Sequence, residues 1–230
     1  MVRIAHFPAL FALLCLAVMP ARAESAKALP AAEICGYLTT EAERLTGIPA
    51  QLLTAIGLAE SGRYDEHGQA RVAWPWTIYA EGKGRYLPSR EIAVAEVKRL
   101  RDKGVTNIDV GCMQVNLGYH GENFTSIEHA LDPIANVAYA AVFLKELHQE
   151  NRSWTRAIAY YHSRTPERYR KYAARVMALW AEARRDANEA RRLRTQEEYK
   201  TRMAERRAKL RRVDQPNATD KRHLKRIPAQ

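Results

Sequence analysis

Three short segments hold the residues of this 230-residue chain that are best suited to chemistry. The first is Glu60-Ser61, which ends a run where Leu53, Ile56 and Glu60 recur at helical spacing. A helix places the Glu60 carboxyl beside these apolar side chains and near its own negative end, and both conditions raise a carboxyl pKa. A carboxyl that keeps its proton near neutral pH can act as a general acid.

An ordinary structural role for Glu60 fits the same pattern, because most perturbed carboxyls in proteins are structural. Under that interpretation the side chain turns into water or pairs with Arg63, three residues further along the chain. Helical geometry alone favours this structural role over the catalytic one.

The second segment, residues 109–116, is rich in neutral polar groups and contains Met113, Gln114 and Asn116. Neutral donors and acceptors of this kind suit the hydroxyl and N-acetyl groups of sugars. Taken alone, the segment is weak evidence for a sugar site.

The third segment, residues 157–163, ends a predicted helix with Tyr160, Tyr161 and His162. A hydroxyl and an imidazole at a helix end can face a cleft. Tyrosines at helical spacing are nevertheless more often part of a core than of a catalytic site.

The elements that must position these segments are predicted to be mostly helical. Apolar residues at three- and four-residue steps predict helices over 30–46, 49–60 and 89–103, and three more that begin near Asp132, Ser153 and Pro166. Residues 71–88 differ, since they surround the turn-like Glu81-Gly82-Lys83-Gly84 and predict a small β-hairpin. The sequence therefore predicts a mainly α domain with one hairpin between Glu60 and the second segment.

Residues 1–23 have the pattern of a cleavable signal peptide. Arg3 precedes the apolar run from Ala9 to Met19, and Ala21-Arg22-Ala23 supplies a cleavage site of small residues. Eleven apolar residues are about half of the roughly 20 that span a bilayer, and no later stretch is more apolar, so no transmembrane span is predicted after leader removal. The mature chain is predicted to be periplasmic or secreted.

Leader removal leaves two cysteines, Cys35 and Cys112, in an oxidising compartment. A disulfide between them is the favoured hypothesis, and two buried free thiols are the alternative. No cysteine pair has metal-ligand spacing and the histidines are scattered, so no metal site is predicted.

The formal net charge of +11 is concentrated at the carboxyl end of the chain. Residues 181–230 contain 16 Lys and Arg against 8 Asp and Glu, which leaves the preceding residues nearly neutral. This argues against a nucleic-acid-binding core, because such a core needs a basic patch on its folded surface. We predict a domain over residues 24–182 and a basic, helical or disordered tail over 183–230.

Taken together and in this order, the three segments resemble the soluble-type lytic transglycosylases (SLT domain), relatives of goose-type lysozyme. That family shows a Glu-Ser pair at a helix end, a Gly-x-Met-Gln-x-Asn segment and an Ala-Tyr-Asn-like segment. The corresponding residues here are Glu60-Ser61, residues 111–116, and Ala159-Tyr160-Tyr161-His162. The resemblance covers residues 30–180, leaves the tail unexplained, and implies a lysozyme-like α+β fold.

The resemblance also implies an activity, namely cleavage of the β-1,4 bond between N-acetylmuramic acid and N-acetylglucosamine in peptidoglycan, with 1,6-anhydro products and no cofactor. Glu60 is then the acid catalyst. The residues implied to bind the glycan strand are Ser61, Met113, Gln114, Asn116, Tyr161 and His162. His162 departs from the family asparagine, and a register shifted by one makes Tyr160 the functional tyrosine. An envelope-spanning secretion apparatus is a second candidate partner.

Two other functions stay open on the sequence alone. A hydrolytic muramidase would need a second carboxylate, for which Asp65, Glu66 and Asp109 are available. A non-enzymatic cell-wall-binding or assembly protein would act through the basic tail, in which residues 206–212 hold five cations. Trp74, Trp76 and Tyr79 either stack on sugar rings or form a separate hydrophobic cluster.

Overall fold

A computed structural model describes residues 29–213 of the chain. The chain is mainly helical with a small antiparallel sheet, which confirms the predicted secondary-structure class. The eight α-helices in this range are α1 (Ala31–Thr46), α2 (Leu52–Ser61), α3 (Arg90–Asp102), α4 (Leu117–His120), α5 (Ile127–Ala130), α6 (Pro133–Asn151), α7 (Trp154–His162) and α8 (Pro166–Val213), and a short 3-10 helix covers Gly121–Asn123. The predicted signal peptide and the last residues of the tail lie outside the described residues.

The helix boundaries follow from capping residues that can be read in the sequence. The Ser89 side chain accepts from a backbone amide in the first turn of α3, and the Asp132 carboxylate accepts from two amides at the start of α6. Ser153 caps α7 in the same way. Each cap satisfies backbone donors that have no partner inside the helix, which is why these boundaries could be predicted.

The β structure of the described residues is larger than the single predicted hairpin. Its six strands are β1 (Gly62–Asp65), β2 (Ala70–Ala73), β3 (Thr77–Ala80), β4 (Lys83–Tyr86), β5 (Ile108–Val110) and β6 (Val115–Asn116). The first two strands form one hairpin, and the other four form an antiparallel sheet of order β4-β3-β5-β6. The predicted hairpin corresponds to β3 and β4, while the two- to four-residue strands β1, β5 and β6 are too short to show a period of two.

Helix α2 lies in the hydrophobic core and is buried on nearly every side. The side chain of its N-cap residue, Gln51, makes no capping hydrogen bond. The carboxylate of Glu43 on α1 caps the helix instead. This carboxylate accepts from the backbone amides of Gln51 at 2.6 Å and Thr54 at 2.9 Å. Burial raises the pKa of Glu43, although these hydrogen bonds act in the opposite direction. The contact anchors the start of the helix that carries Glu60.

The predicted disulfide is confirmed, and it joins Cys35 on α1 to Cys112. Both residues are fully buried, and 77 positions of sequence separate them. The cross-link therefore attaches the loop between β5 and β6 to the core beside α2.

Helix α8 is 48 residues long and changes character along its length. Its first turns pack against α2 and α7, and the indole of Trp180 donates to the Ala50 carbonyl at 2.9 Å. Beyond Ala183 the side chains up to Arg211 are exposed, apart from those of Ala187 and Met203. No helix among residues 29–213 is both long and apolar enough to cross a membrane.

Replacement of both cysteines, Cys35→Ala with Cys112→Ala, is expected to lower the free energy of unfolding by roughly 4 to 5 kcal/mol, because a 77-residue loop is no longer closed in the unfolded chain. Urea denaturation of the double variant and of the oxidised protein measures this difference. The oxidised protein with added reductant is the matched control and should approach the double variant. Equal denaturation midpoints would contradict the expectation.

Candidate active site

The carboxyl of Glu60 opens onto a cleft at the carboxyl end of α2. The cleft has a volume of about 320 Å³ and is bounded by the last turn of α2, by β5 and β6, and by α4, α6, α7 and the start of α8. Its lining consists of Glu60, Asn107, Asp109, Gln114, Val115, Asn116, Tyr119, His120, Tyr139, Phe143, Tyr161, His162 and Arg168. The structure thus brings together Glu60, Gln114, Asn116, Tyr161 and His162, which are five of the seven predicted site residues.

Glu60 is partly buried, and loss of solvation raises the pKa of its carboxyl to about 7. The hydroxyl of Tyr172 donates to Glu60 Oε1 at 2.6 Å and lowers this pKa. The negative charge of Asp109 raises it further, and the positive charge of Arg175 lowers it. The carboxyl therefore exchanges its proton near neutral pH, which suits a group that both gives and takes a proton.

The described residues contain no ion pair between Glu60 and Arg63, which was the structural role considered for this carboxyl. The guanidinium of Arg63 instead lies over the ring of Trp74, at 4.2 Å from its centroid, and 5.9 Å from that of Tyr86. This cation–π contact engages Arg63, which is the Lys or Arg nearest to Glu60 in sequence. The Glu60 carboxyl consequently keeps a raised pKa.

The loop from Gly111 to Gln114 is held by the buried amide of Asn136. This side chain accepts from the Met113 amide at 3.0 Å and donates to the Val110 carbonyl at 3.0 Å. Gly111 has φ +85°, and a Cβ at this position would lie 2.5 Å from Asn136. Only glycine therefore permits both the left-handed backbone and the close approach of Asn136.

Gln114 also has a left-handed backbone, with φ 47°, which is uncommon outside glycine and occurs at functional sites. Its side-chain nitrogen donates to the carbonyls of Thr77 and Gly111, both at 3.0 Å. Because both amide hydrogens are used inside the protein, the oxygen is the group that Gln114 offers to a ligand in the cleft.

Ser61 and Met113 lie beneath the cleft and not in its lining. Both are fully buried, and the Ser61 hydroxyl donates to the Cys112 carbonyl at 2.7 Å. The Met113 sulfur lies 3.4 Å from the position that a Cβ on Gly57 would take. These two residues join α2 to the loop after β5, so they position Glu60 relative to Gln114.

Asn116 and Asp109 form a hydrogen-bonded polar pair on the side of the cleft that is made by β5 and β6. The Asn116 nitrogen donates to Asp109 Oδ1 at 2.7 Å and to Asn107 Oδ1 at 2.6 Å. Its oxygen accepts from the amides of Gly118 and Tyr119 at the start of α4. Burial raises the pKa of Asp109, and the hydrogen bond from Asn116 lowers it.

Tyr161 is the tyrosine of the third segment that faces the cleft. Its hydroxyl donates to the Met113 carbonyl at 3.0 Å, and burial raises its pKa well above the ordinary value, so it remains protonated. Tyr160 lies outside the lining, with its ring against Tyr169 and with Arg164 at 5.0 Å from the ring centroid. The geometry thus selects Tyr161 over Tyr160.

His162 is exposed at the cleft edge, where its ring stacks on that of Tyr172 at a centroid distance of 4.4 Å. Burial of the ring on this side lowers the pKa of His162, and the charge of Arg168 lowers it further. The imidazole is consequently neutral at pH 7 and covers the hydroxyl-bearing ring that contacts Glu60.

Tyr172 is the residue of the site that the sequence did not reveal. Its spacing to Val176 and Trp180 identifies a core-facing position of α8, and it lies 112 residues from Glu60. A buried tyrosine hydroxyl needs a partner, and that requirement was the only available signal. The aromatic side of the cleft, formed by His120, Tyr139 and Phe143, was also missed.

The tryptophan-rich segment after β2 lies apart from the cleft. The indole of Trp74 donates to the Leu87 carbonyl at 2.7 Å, and its ring meets that of Trp76 edge to face at 5.8 Å. Tyr79 is exposed on β3 and is not part of the cleft lining. Trp74 and Trp76 thus form an aromatic pair outside the cleft lining, and Tyr79 lies on the exposed surface of β3.

Comparisons of this chain with protein-family models, curated proteins and solved structures find no match. Among residues 29–213, no group of three or more His, Cys, Asp or Glu side chains is arranged to hold a metal ion.

Tyr172→Phe is expected to raise the pKa of Glu60 above 7, because it removes the hydrogen bond that favours the carboxylate. Titration of the Glu60 carboxyl carbon by NMR measures the shift. Tyr169→Phe is the matched control, since this tyrosine lies one turn away on α8 and contacts Tyr160. A Tyr172→Phe titration that coincides with that of the control would refute the role of the hydrogen bond.

Glu60→Gln is expected to stabilise the fold at pH 8 more than at pH 4. The folded-state pKa of about 7 lies above the ordinary 4.5. The raised pKa therefore contributes most to the free energy of unfolding of the wild type below pH 4.5. This contribution is lost as pH rises through 7, and the total loss is about 3 kcal/mol. Urea denaturation at both pH values measures the variant against the wild type, with the exposed Glu66→Gln as control. If the free energies of unfolding of Glu60→Gln and the wild type differ by the same amount at both pH values, the raised pKa is contradicted.

Proposed function

We propose that this chain is a peptidoglycan lytic transglycosylase with a lysozyme-like fold, acting in the periplasm or outside the cell. The observation that carries the proposal is a single carboxyl with a pKa of about 7, Glu60, opening onto a polar and aromatic cleft. A general acid needs such a pKa to donate its proton at neutral pH. The resemblance of the three segments to the soluble-type family supports the same assignment.

The cleft lining suits a chain of N-acetylated sugars. The amide oxygen of Gln114 accepts from an N-acetyl or hydroxyl group. The side chain of Asn116 is bonded to Asn107 and Asp109 and so positions these two polar side chains in the lining. Tyr139 and Phe143 stack with their planes 8° apart on the other side, where a pyranose ring finds an apolar surface. A sugar has both an apolar face and a polar edge, and the cleft offers a partner for each.

In the proposed mechanism, protonated Glu60 donates its proton to the glycosidic oxygen that joins C1 of N-acetylmuramic acid to N-acetylglucosamine, and the bond between C1 and this oxygen breaks, so that the N-acetylglucosamine side leaves with a free hydroxyl. The acetamido oxygen of the muramic acid stabilises the positive charge that develops at C1. The Glu60 carboxylate, held by Tyr172, then removes the proton from the 6-hydroxyl as that oxygen bonds to C1. A 1,6-anhydro sugar forms, no water is consumed, and Glu60 ends with its proton restored.

Hydrolysis of the same bond is the second candidate function, and the position of Asp109 is the observation that favours it. Of the three carboxylates considered for water activation, only Asp109 lines the cleft. Asp65 accepts from the Gly68 amide within the β1–β2 turn, and Glu66 is exposed there. A water between Asp109 and C1 would give a reducing end in place of the anhydro sugar.

Digestion of purified peptidoglycan, followed by mass analysis of the soluble fragments, tests the proposal. The expected products carry 1,6-anhydro ends, which are 18 Da lighter than the hydrolytic ones, the mass of one water. Glu60→Gln should reduce release by roughly a hundred- to ten-thousandfold with the fold intact, which is the usual contribution of a general acid, while Glu66→Gln should cleave like the wild type. Release by Glu60→Gln at the wild-type rate would remove Glu60 from the acid role.

Asp109→Asn separates the two reactions. Under the lytic mechanism the variant continues to give anhydro ends, because Asp109 takes no proton. Under hydrolysis, the wild type gives reducing ends and the variant loses most of its turnover. Reducing ends from the wild-type protein would overturn the lytic proposal in favour of the muramidase.

A further inference from the structure

The distal part of α8 projects from the folded body as an exposed helix. From Arg184 to Arg211 all but two side chains are exposed, over a length of about 40 Å at 1.5 Å per residue. The cleft and the proposed mechanism use α8 only near Arg168 and Tyr172. The projection therefore takes no part in the chemistry of the cleft.

The charges of the projection are sorted around the helix. At 100° per residue, one sector about 100° wide contains cations and no acidic residue between positions 184 and 210. We call this sector the basic face. Its cations are Arg184, Arg191, Arg192, Arg202, Arg206 and Lys209. The glutamates and the aspartate of this stretch fall on the remaining circumference, so the positive field is directed to one side.

Two apolar side chains lie among these cations. Tyr199 and Leu210 share the sector and are 61% and 56% exposed. A polar polyanion interacts favourably only with the cations, whereas the boundary between lipid headgroups and acyl chains interacts favourably with both kinds of side chain. Arginine and lysine place their stems against apolar surface while their charged ends reach phosphate, and tyrosine favours the same boundary.

We propose that the basic face binds a bilayer with anionic headgroups, with the projecting part of α8 lying along the membrane surface. Charge complementarity supplies the attraction, since the potential of an anionic leaflet acts on each nearby cation. Tyr199 and Leu210 enter the headgroup region and make the contact more than a long-range attraction. The proposal is independent of the reaction in the cleft.

Co-sedimentation with vesicles tests the proposal, using the protein purified after export. Binding is expected to mixed phosphatidylglycerol and phosphatidylcholine vesicles and not to vesicles of phosphatidylcholine alone. It should weaken as salt rises from about 0.1 M to about 1 M, where the screening length falls from about 10 Å to about 3 Å. Equal binding to both kinds of vesicle would overturn the proposal.

A triple variant on the basic face, Arg192→Gln with Arg202→Gln and Arg206→Gln, should bind the mixed vesicles about a hundredfold more weakly. Each cation near an anionic surface contributes roughly a fivefold factor. Glutamine forms helix about as readily as arginine, so the helix is kept, and far-UV circular dichroism verifies this.

The matched control removes the same charge from the other side of the helix, with Lys200→Gln, Arg207→Gln and Arg211→Gln. Its binding should fall less than tenfold. If both triple variants lose affinity equally, net charge alone is responsible and the basic face is not a docking surface.

The double variant Tyr199→Ser with Leu210→Ser distinguishes a membrane from another polyanion. It should weaken binding to mixed vesicles at least tenfold while leaving adsorption to purified peptidoglycan unchanged. A double variant that binds vesicles like the wild type, or a wild-type protein that binds peptidoglycan and no vesicles, would refute the membrane assignment.

Discussion

The loss of solvation of one carboxyl at the end of α2 is the constraint on which the site depends. In water the Glu60 carboxyl would keep a pKa near the ordinary 4.5, and against a cation its pKa would fall below that value. The protein avoids both outcomes by stacking Arg63 on Trp74 and by closing the site with α7 and α8. Tyr172 then supplies one hydrogen bond to the carboxylate, which limits the rise in pKa to a value near neutrality.

This arrangement costs stability, and the rest of the fold compensates for it. Glu43 caps the amino end of α2, and the Ser61 hydroxyl ties its carboxyl end to Cys112. The disulfide to Cys35 and the amide of Asn136 hold the same loop from two other directions. Ser61 and Met113 thus share motifs with the cleft residues because they hold Glu60 and Gln114 at a fixed separation.

Sequence reasoning predicted the helices well, because their caps and apolar periods are local signals, as Ser89, Asp132 and Ser153 illustrate. It also predicted five of the residues in the cleft, since they occur in short motifs. Tyr172 could not be found in this way, because its contact with Glu60 depends on how α8 crosses α2 and not on any local pattern. The burial of Ser61 and Met113 was hidden for the same reason, since a motif shows which residues matter and not which side they face.

Helix α8 has two parts that differ in how well they tolerate a change in chain length. Past Ala183 its side chains are exposed, so whole turns can be added or removed there without disturbing the cleft. Between Pro166 and Tyr172 the opposite holds, because loss of one residue turns every later side chain by about 100°. Such a deletion would point the Tyr172 hydroxyl away from Glu60 and bring a neighbour of different chemistry into its place. Natural variation in length should therefore accumulate at the far end of the helix and be absent from its first two turns.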